Sequence, residues 1–402
     1  MRRAVTGYRL TVALLLALLS TVVLANSWGV FQTDIKPEVY LAPGEMLRHY
    51  LSSWTSSPYL GSPNFNVGLV PVLLVTTALG ALGLDPELSF KLFHLGLWVL
   101  AAWGASRLLR TLVPSASRWA GLVTGVAYVA NPYTVTAGST LAIALPLALL
   151  PVLLVAYVRA LRAPRSWGWP AAFALVFAAM SGMNVAIVPV LQLLLLLPLA
   201  ITVRHEQGLR WRQVLAVTAR CGLLVVLLSL YWLVPAAAAL TTGGQIVESS
   251  ETLEGIAKVS SLTEVLRGLG LWAIYGRDAS GPWVPQYAAY VAQPVFVLLT
   301  ALWPAAALAS LRWVPRRMER LIAVTTGLVA VVMVGLFPAS GSSPFAWLLA
   351  RSFDLVPALL AFRTTNKIGA GLALFFALAL GLAAVQVVPR VLRTPGLAPV
   401  AV

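Results

Sequence analysis

The sequence is poor in cysteine, histidine and negative charge. Its 402 residues include one Cys, 3 His and 13 Asp or Glu. The single cysteine, Cys221, excludes an intramolecular disulfide. The three histidines are far apart in the sequence, so they do not show the ligand spacing of a structural zinc site. Phosphate-binding motifs of the Walker type and of the GxGxxG type are also missing, which argues against a nucleotide site.

Apolar residues, by contrast, make up most of the chain. They account for 59% of the residues, whereas charged residues account for 10%. Several apolar runs reach the roughly 20 residues that a helix needs to cross a bilayer. These Leu, Ala and Val runs lack the alternation of barrel strands, so the sequence predicts an all-α, polytopic membrane protein of about ten transmembrane helices. The predicted spans are 8–25, 88–111, 119–136, 140–161, 169–184, 185–203, 214–240, 289–311, 320–337 and 367–389.

The apolar run 67–84 is interpreted differently, as a re-entrant or interfacial helix inside a long first outer loop. It contains Pro71, Gly80 and Gly83, which interrupt a regular helix. If this run crossed the membrane, the sidedness of all later charges would invert.

The basic residues are distributed unevenly between the two sides of the predicted topology. With the N-terminus inside, 19 of the 28 Lys and Arg residues fall in inner segments, together with only Glu206 and Glu319 among the acids. This asymmetry is typical of cytoplasmic loops. It predicts a multi-pass plasma-membrane protein with both termini cytoplasmic, and it explains the net charge of +15 without a nucleic-acid partner.

The predicted domain organisation is simple. A single transmembrane domain covers 1–393, and a flexible cytoplasmic tail covers 394–402. The main outer loops are 26–87, 241–288 and 338–366.

Three of the few acidic residues, Asp34, Glu38 and Glu45, lie in the first outer loop. A site at this height suits an enzyme that uses a lipid-linked sugar, because the donor phosphate lies among the lipid headgroups. Such a transfer needs a base for the acceptor hydroxyl, and Asp34 is the candidate. The alternative for Asp34 is a helix cap or a solvated loop residue.

The departing phosphate needs cations, and Arg363 and Lys367 precede the last predicted span. An equally good interpretation is that both side chains anchor that span by reaching the headgroups.

Further candidates for lining the substrate are Lys36, Glu38, Tyr40, His49, Trp54, Asn64 and Asn184. The aromatic residues among them would stack on sugar rings, or would form an ordinary interfacial belt. Asn131, before a proline, is interpreted as a turn residue, and Glu248, Glu251 and Glu254 as a solvated helical face.

Five stretches, in order along the chain, carry a resemblance to a known family. They are QTDIKPEVYLAPGEML in the first outer loop, ANPYTVTAGSTLAIALPLALLPVLL at 130–154, MSGMNVA at 180–186, YWLVPAAAAL at 231–240 and LLAFRTTNKIGAGLAL at 359–374. In these stretches the chain resembles the membrane module of the actinobacterial α-(1→3)-arabinofuranosyltransferases, which belong to the GT-C class of glycosyltransferases. Members of that family are much longer than this chain.

The resemblance implies a GT-C-like fold and an inverting, extracytoplasmic transfer from a decaprenylphosphoryl-arabinofuranose donor to a cell-wall arabinan acceptor. It places the key aspartate at Asp34 and an FR…K motif at Phe362, Arg363 and Lys367. It implies no metal site, although assistance by a divalent cation is left open. Two alternatives remain at this point. One is a flippase or exporter of a lipid-linked sugar, and the other is a non-catalytic membrane scaffold of the cell-envelope machinery.

Overall fold

A computed structural model describes residues 2–25, 37–52, 54–55, 61–180, 187–238, 253–337 and 344–392. The α-helices of the first half are α1 (Arg2–Leu24), α2 (Glu38–Leu41), α3 (Pro43–Tyr50), α4 (Val70–Ala81), α5 (Pro86–Leu112), α6 (Arg118–Val129), α7 (Pro132–Val135), α8 (Leu141–Arg162), α9 (Gly168–Met180), α10 (Ile187–Gln192) and α11 (Leu196–Gln207). Those of the second half are α12 (Trp211–Ala238), α13 (Leu253–Lys258), α14 (Leu262–Leu266), α15 (Trp272–Tyr275), α16 (Pro285–Ala292), α17 (Pro294–Ser310), α18 (Arg316–Val334), α19 (Pro344–Leu355) and α20 (Ala370–Leu392).

The remaining elements are short. 3-10 turns cover Phe65–Leu69, Ala137–Ser139, Leu193–Leu195, Leu311–Trp313, Pro357–Phe362 and Thr365–Gly369. Two antiparallel pairs of two-residue strands join β1 (Trp54–Thr55) to β2 (Ser62–Pro63) and β3 (Arg277–Asp278) to β4 (Gly281–Pro282). The prediction of an all-α fold is confirmed.

Within the described residues, seven helical segments are long and apolar enough to span a membrane. They are Gly7–Leu24, Pro86–Leu112, Leu141–Arg162, Ile187–Gln207, Trp211–Ala238, Pro294–Trp313 and Thr365–Ala384. The predicted spans at 119–136 and 169–184 correspond to the shorter helices α6 and α9, of 12 and 13 residues. The polytopic membrane class is therefore confirmed, whereas the number of about ten spans stays a prediction.

The apolar run 67–84 forms the short helix α4 after a 3-10 turn. Its 12 residues rise roughly 18 Å, well short of the roughly 30 Å hydrocarbon core. Helix α4 packs against α3 and against α5 at one end of the bundle. Its length supports the interpretation of a non-spanning helix in a folded outer loop.

Helix α8 lies at the centre of the bundle, where it packs against α5, α9 and α11. Two prolines interrupt its backbone hydrogen bonds, because proline lacks the N–H that would bond to the carbonyl four residues earlier. The carbonyl freed by Pro151 is that of Leu147, and the buried Tyr128 hydroxyl donates to it at 2.8 Å. A neighbouring helix thus satisfies the backbone group that the proline leaves open.

Small residues set the distances between the central helices. A Cβ on Gly125 of α6 would lie 2.6 Å from the Ala102 carbonyl oxygen of α5. A Cβ on Gly381 of α20 would lie 1.9 Å from Oγ1 of Thr124. Since no Cβ fits at either position, these glycines allow α5, α6 and α20 to approach closely, as small residues do between membrane helices.

Candidate functional site

A buried polar turn precedes the last long helix. Thr364, Thr365 and Asn366 are 3–5% exposed, and Arg363 is 9% exposed. The Arg363 guanidinium donates to the Leu360 carbonyl oxygen at 3.1 Å, which holds it against the preceding 3-10 turn. A side chain that only reached for lipid headgroups would be more exposed, so its burial favours a role inside the protein. Lys367 is half-buried in the same turn. We call residues 363–367 the polar turn.

Tyr133, which lies on α7 and is 1% exposed, fixes the polar turn from the opposite side. Its hydroxyl donates to the carbonyl oxygens of Asn366 and Lys367, at 3.3 and 3.1 Å. A Cβ on Gly369 would lie 2.2 Å from the Tyr133 ring, so glycine is required for this contact. The ring therefore joins the start of α20 to the turn that precedes α8.

Asn131 orients the helix that carries Tyr133. Its Oδ1 accepts a hydrogen bond from the Thr134 amide at 3.0 Å, and its Nδ2 donates to the Tyr128 carbonyl oxygen at 2.6 Å. This is an N-cap, so the interpretation of Asn131 as a turn residue is confirmed.

Two buried amides near the polar turn have unused hydrogen-bonding atoms. Gln192 at the end of α10 is fully buried, and neither its Nε2 nor its Oε1 has a partner among the described residues. Nδ2 of Asn366 likewise lacks a partner there. Helix α10 packs against the 3-10 turn that contains Asn366. Because an unsatisfied buried polar group costs about 1–3 kcal/mol, such groups mark a place for a polar ligand.

A buried ion pair lies in the first turns of α5. Lys91 is 3% exposed, and its Nζ lies 2.9 Å from Oε1 of Glu87 one turn earlier. His94, one turn further on, is also buried, and its Nδ1 hydrogen-bonds to the Phe90 carbonyl oxygen at 3.0 Å. This group was not predicted from the sequence, because 88–111 was interpreted as an apolar span. The available signal was the Glu-to-Lys spacing of four residues near a helix start capped by Asp85.

The first outer loop packs onto α5 through an aromatic cluster. Tyr40 is 2% exposed, and its ring meets Phe90 edge-on at 5.2 Å and Phe93 at 6.4 Å. Burial raises the pKa of the Tyr40 hydroxyl, so this side chain stays neutral. The sequence analysis placed Tyr40 among residues that line a substrate, whereas the structure places its ring in the core.

Other candidates in this loop have different surroundings. Asn64 is fully buried, donates to the Ser52 carbonyl oxygen at 2.8 Å and accepts from the Asn66 amide at 3.1 Å. These bonds occupy it in holding the loop. Trp54 is 56% exposed, Glu38 is exposed and His49 is half-buried. Thus Trp54, Glu38 and His49 are the members of this group that a substrate can reach.

Asp34, Lys36 and Asn184 lie outside the described residues. The structure therefore brings the candidates into two groups. One is formed by the described loop residues 37–52, 54–55 and 61–64, packed on α4 and α5, and the other is the polar turn, packed on α7, α10 and α18.

In the predicted outer loop 241–288, Glu264 has a structural role. Nη1 of Arg267 lies 2.6 Å from Oε1 of Glu264, and Nε of Arg267 donates to Oγ1 of Thr300 at 2.9 Å. The Tyr275 hydroxyl donates to the same carboxylate at 2.5 Å; burial and this bond raise the pKa of Tyr275. These bonds attach the loop to α17.

Glu254 is exposed and pairs with Lys258 at 2.6 Å, as expected of a solvated helical face, while Glu248 and Glu251 lie outside the described residues. Across the described ranges, no group of three His, Cys, Asp or Glu side chains is placed to hold a metal ion.

The chain matches one protein family over most of its length. A family model described as "Alpha-(1->3)-arabinofuranosyltransferase, N-terminal GT-C domain" matches residues 18–398. Among curated proteins, none matches the chain.

Solved structures with a similar fold include the cryo-EM structure of the arabinofuranosyltransferase AftD from mycobacteria. It has a TM-score of 0.61 and 20% identity, and the match covers 94% of this chain and 24% of that one. A second cryo-EM structure, of a mutant form of AftD (Class 2), gives a TM-score of 0.62 and 18% identity, and the match covers 94% of this chain and 25% of that one. The chain thus spans about a quarter of the length of the structures that it matches.

Proposed function

Since the chain belongs to the α-(1→3)-arabinofuranosyltransferase family through the N-terminal GT-C domain, we propose that it is a membrane glycosyltransferase. It transfers arabinofuranose from a decaprenylphosphoryl-arabinose donor to a cell-wall arabinan on the outer side of the membrane. The observation that carries this proposal is the family match over residues 18–398, which includes both candidate groups. Because the chain spans about a quarter of the length of the AftD structures that it matches, the activity of these residues by themselves is part of the proposal.

The polar turn is the proposed site for the donor phosphate. Arg363 and Lys367 supply two cations within one short turn, and the turn leads directly into the N-terminus of α20. Arginine binds phosphate through a forked pair of N–H groups, and lysine acts as a compact charge. The unused amides of Gln192 and Asn366 are suited to the hydroxyls of the sugar or to the phosphate oxygens.

The polyprenyl tail would enter the bilayer beside these helices. In this arrangement the phosphate stays at the level of the headgroups, where the polar turn lies at the start of the span Thr365–Ala384. A site at the end of a span suits a lipid-linked donor better than the midplane sites that secondary transporters use.

In the proposed reaction, an acceptor hydroxyl attacks the anomeric carbon of the donor. The new C–O bond forms on the face opposite the breaking bond to the phosphate oxygen, so the configuration inverts. Asp34 takes the proton from the attacking hydroxyl, and the decaprenyl phosphate leaves with the bonding electron pair. Arg363 and Lys367 stabilise the negative charge on that phosphate. No general acid is needed, because the phosphate is already a fair leaving group.

A second candidate function, a flippase of a lipid-linked sugar, has one observation in its favour. The Lys91–Glu87 ion pair, in which Lys91 is buried, lies in the first turns of the long apolar helix α5, and ionisable groups in such helices often mark transport pathways. In this function Asp34 would not be needed, whereas the ion pair would.

The test measures transfer of labelled arabinose from decaprenylphosphoryl-arabinose to a short arabinan, in membranes that contain the wild-type chain, Asp34→Asn or Glu45→Gln. Glu45 is an exposed acid of the same loop and serves as the control. We expect Asp34→Asn to lose about 10²–10⁴-fold in rate, as for removal of a general base, and Glu45→Gln to keep the wild-type rate.

Equal transfer by wild type and Asp34→Asn would remove Asp34 from the mechanism. No transfer by the wild type, with the donor bound, would contradict a self-sufficient enzyme and favour the scaffold. Movement of the donor across vesicles without transfer, lost in Lys91→Met, would favour the flippase.

A further inference from the structure

Four arginines gather around one cleft at the far end of α5 and α8. The cleft has a volume of about 270 Å³, and its lining residues are Arg107, Arg110, Thr111, Pro114, Arg159 and Arg162. Helix α8 runs 22 residues, about 33 Å, from the neighbourhood of Tyr133 to this cleft. The cleft is therefore separate from the polar turn, and the distribution of basic residues predicts that it faces the cytoplasm. We call it the arginine cleft.

Only one of the four arginines is neutralised by its surroundings. Nη2 of Arg162 lies 2.9 Å from Oε1 of Glu206, and Nη1 donates to the Thr111 carbonyl oxygen at 2.6 Å, at the C-terminal end of α5. Arg317 shares the Glu206 carboxylate. Arg107, Arg110 and Arg159 form no ion pair with any carboxylate of the described chain. The cleft thus holds three positive charges that no carboxylate of the described residues compensates.

An arginine at a helix C-terminus often serves only the helix dipole. Arg162 does this, since it caps the end of α5. The other three guanidinium groups make no hydrogen bond to a described backbone carbonyl, so helix capping does not account for them. Their convergence on a cleft, rather than on open solvent, is the feature that needs an explanation.

Tryptophan rings place the arginine cleft at the bilayer interface. The Arg107 guanidinium lies 5.6 Å from the Trp103 ring, and that of Arg159 lies 4.7 Å from the Trp169 ring. Close by, Arg220 lies 5.3 Å from the ring of Trp167. Trp103 and Trp167 are 51% and 54% exposed, although they are large and apolar. Exposed tryptophans beside arginines are typical of the headgroup region of a membrane.

We propose that the arginine cleft binds the phosphate headgroup of an anionic phospholipid. The guanidinium groups of Arg107, Arg110 and Arg159, which form no ion pair with a described carboxylate, match the oxygens of a phosphate, and the exposed tryptophans border the acyl chains. Helix α1 contacts α5, and its span Gly7–Leu24 is unburied, so it leaves apolar surface next to α5. A free phosphate in the cytosol shares the same chemistry, but it would gain nothing from that apolar border.

The experiment uses the full chain in detergent, depleted of lipid, and measures retention of phosphatidylglycerol or phosphatidylcholine by native mass spectrometry. The test variant is Arg107→Gln/Arg110→Gln. Its matched control is Arg316→Gln/Arg320→Gln, which removes the same charge from exposed positions of α18 that do not line the cleft. Inorganic phosphate, added in excess, tests the soluble source.

We expect the wild type to retain phosphatidylglycerol in preference to phosphatidylcholine. The cleft variant should weaken that retention about tenfold or more, and the control less than about threefold, since Arg316 and Arg320 do not line the cleft and contribute only to the general positive field. Excess inorganic phosphate should displace little of the lipid. Unchanged thermal stability of both variants would show that the loss is not unfolding.

Three outcomes would overturn the proposal. Equal weakening by both variants would mean that only the general positive field attracts the lipid. Tight binding of inorganic phosphate with no preference between the two lipids would assign the cleft to a soluble anion. Equal retention of both lipids by all variants would mean that the cleft binds no headgroup.

Discussion

The two ends of helix α8 hold polar groups in opposite ways. Near Tyr133, hydroxyls, amides and Arg363 are buried, and the Tyr133 hydroxyl and the Arg363 guanidinium both donate to backbone carbonyl oxygens. In the arginine cleft, the guanidinium groups of the exposed Arg107 and the half-buried Arg159 lie over tryptophan rings. A buried polar group is costly unless something binds it, whereas an exposed charge costs little. The comparison therefore points to a specific ligand site at the first end and to contact with the membrane surface at the second.

Among changes at the two ends of α8, the largest effect is expected from removing the buried cation of the polar turn. Arg363→Gln should lower arabinose transfer about 10²–10³-fold, because one group that stabilises the leaving phosphate is lost. The control is Arg351→Gln, an exposed arginine of α19 that faces Asp354 at 3.8 Å and should keep the wild-type rate. Radiolabelled transfer measures both. Equal rates for the two variants would mean that the polar turn does not hold the donor phosphate.

At the end of α8 that holds the arginine cleft, we expect the Glu206 carboxylate to stabilise the fold. Glu206→Gln leaves Arg162 and Arg317 without their shared anion and should destabilise the protein by about 1–2 kcal/mol, since the pair is only partly buried. The control is Glu319→Gln, because Glu319 lies in a predicted inner segment and forms no ion pair with a described residue. Thermal unfolding in detergent measures the difference. The same unfolding temperature for both variants would show that the ion pair contributes nothing.

The Tyr133 hydroxyl tests how firmly the polar turn is held. Tyr133→Phe keeps the ring against Gly369 but removes the bonds to two carbonyl oxygens, at a cost of about 1 kcal/mol. We expect slightly lower thermal stability and roughly fivefold weaker binding of the donor. The control for stability alone is Tyr157→Phe. It removes a hydroxyl that is hydrogen-bonded to Thr218 near the C-terminal end of α8. If donor affinity fell equally in both variants, Tyr133 would have no special link to the site.

These two ends also differ in how far the sequence predicts them. Charge sidedness and the length of apolar runs are local properties. They therefore predict the helical membrane fold, the side that holds most of the arginines, and the interpretation of 67–84 as a helix that does not span. Burial depends on which helices meet. Nothing in the local sequence around Gln192 or Lys91 shows that neighbouring helices cover both side chains, and both were missed. Tyr40 was assigned to a substrate surface for the same reason, since its packing partners Phe90 and Phe93 are fifty residues away in the sequence.

Gln192→Met is the smallest change, and it separates a ligand site from a packing defect. Methionine has nearly the shape of glutamine but no hydrogen-bonding amide, so it removes two buried atoms that have no described partner. If those atoms serve only packing, the variant should be more stable by about 1 kcal/mol and equally active. If they bind the donor, the variant should still be more stable in the absence of donor, but its donor affinity should fall about five- to tenfold. Thermal unfolding with and without decaprenylphosphoryl-arabinose measures both quantities on one sample. A gain in stability that survives saturating donor would assign Gln192 to the core and leave Asn366 as the remaining amide of the site.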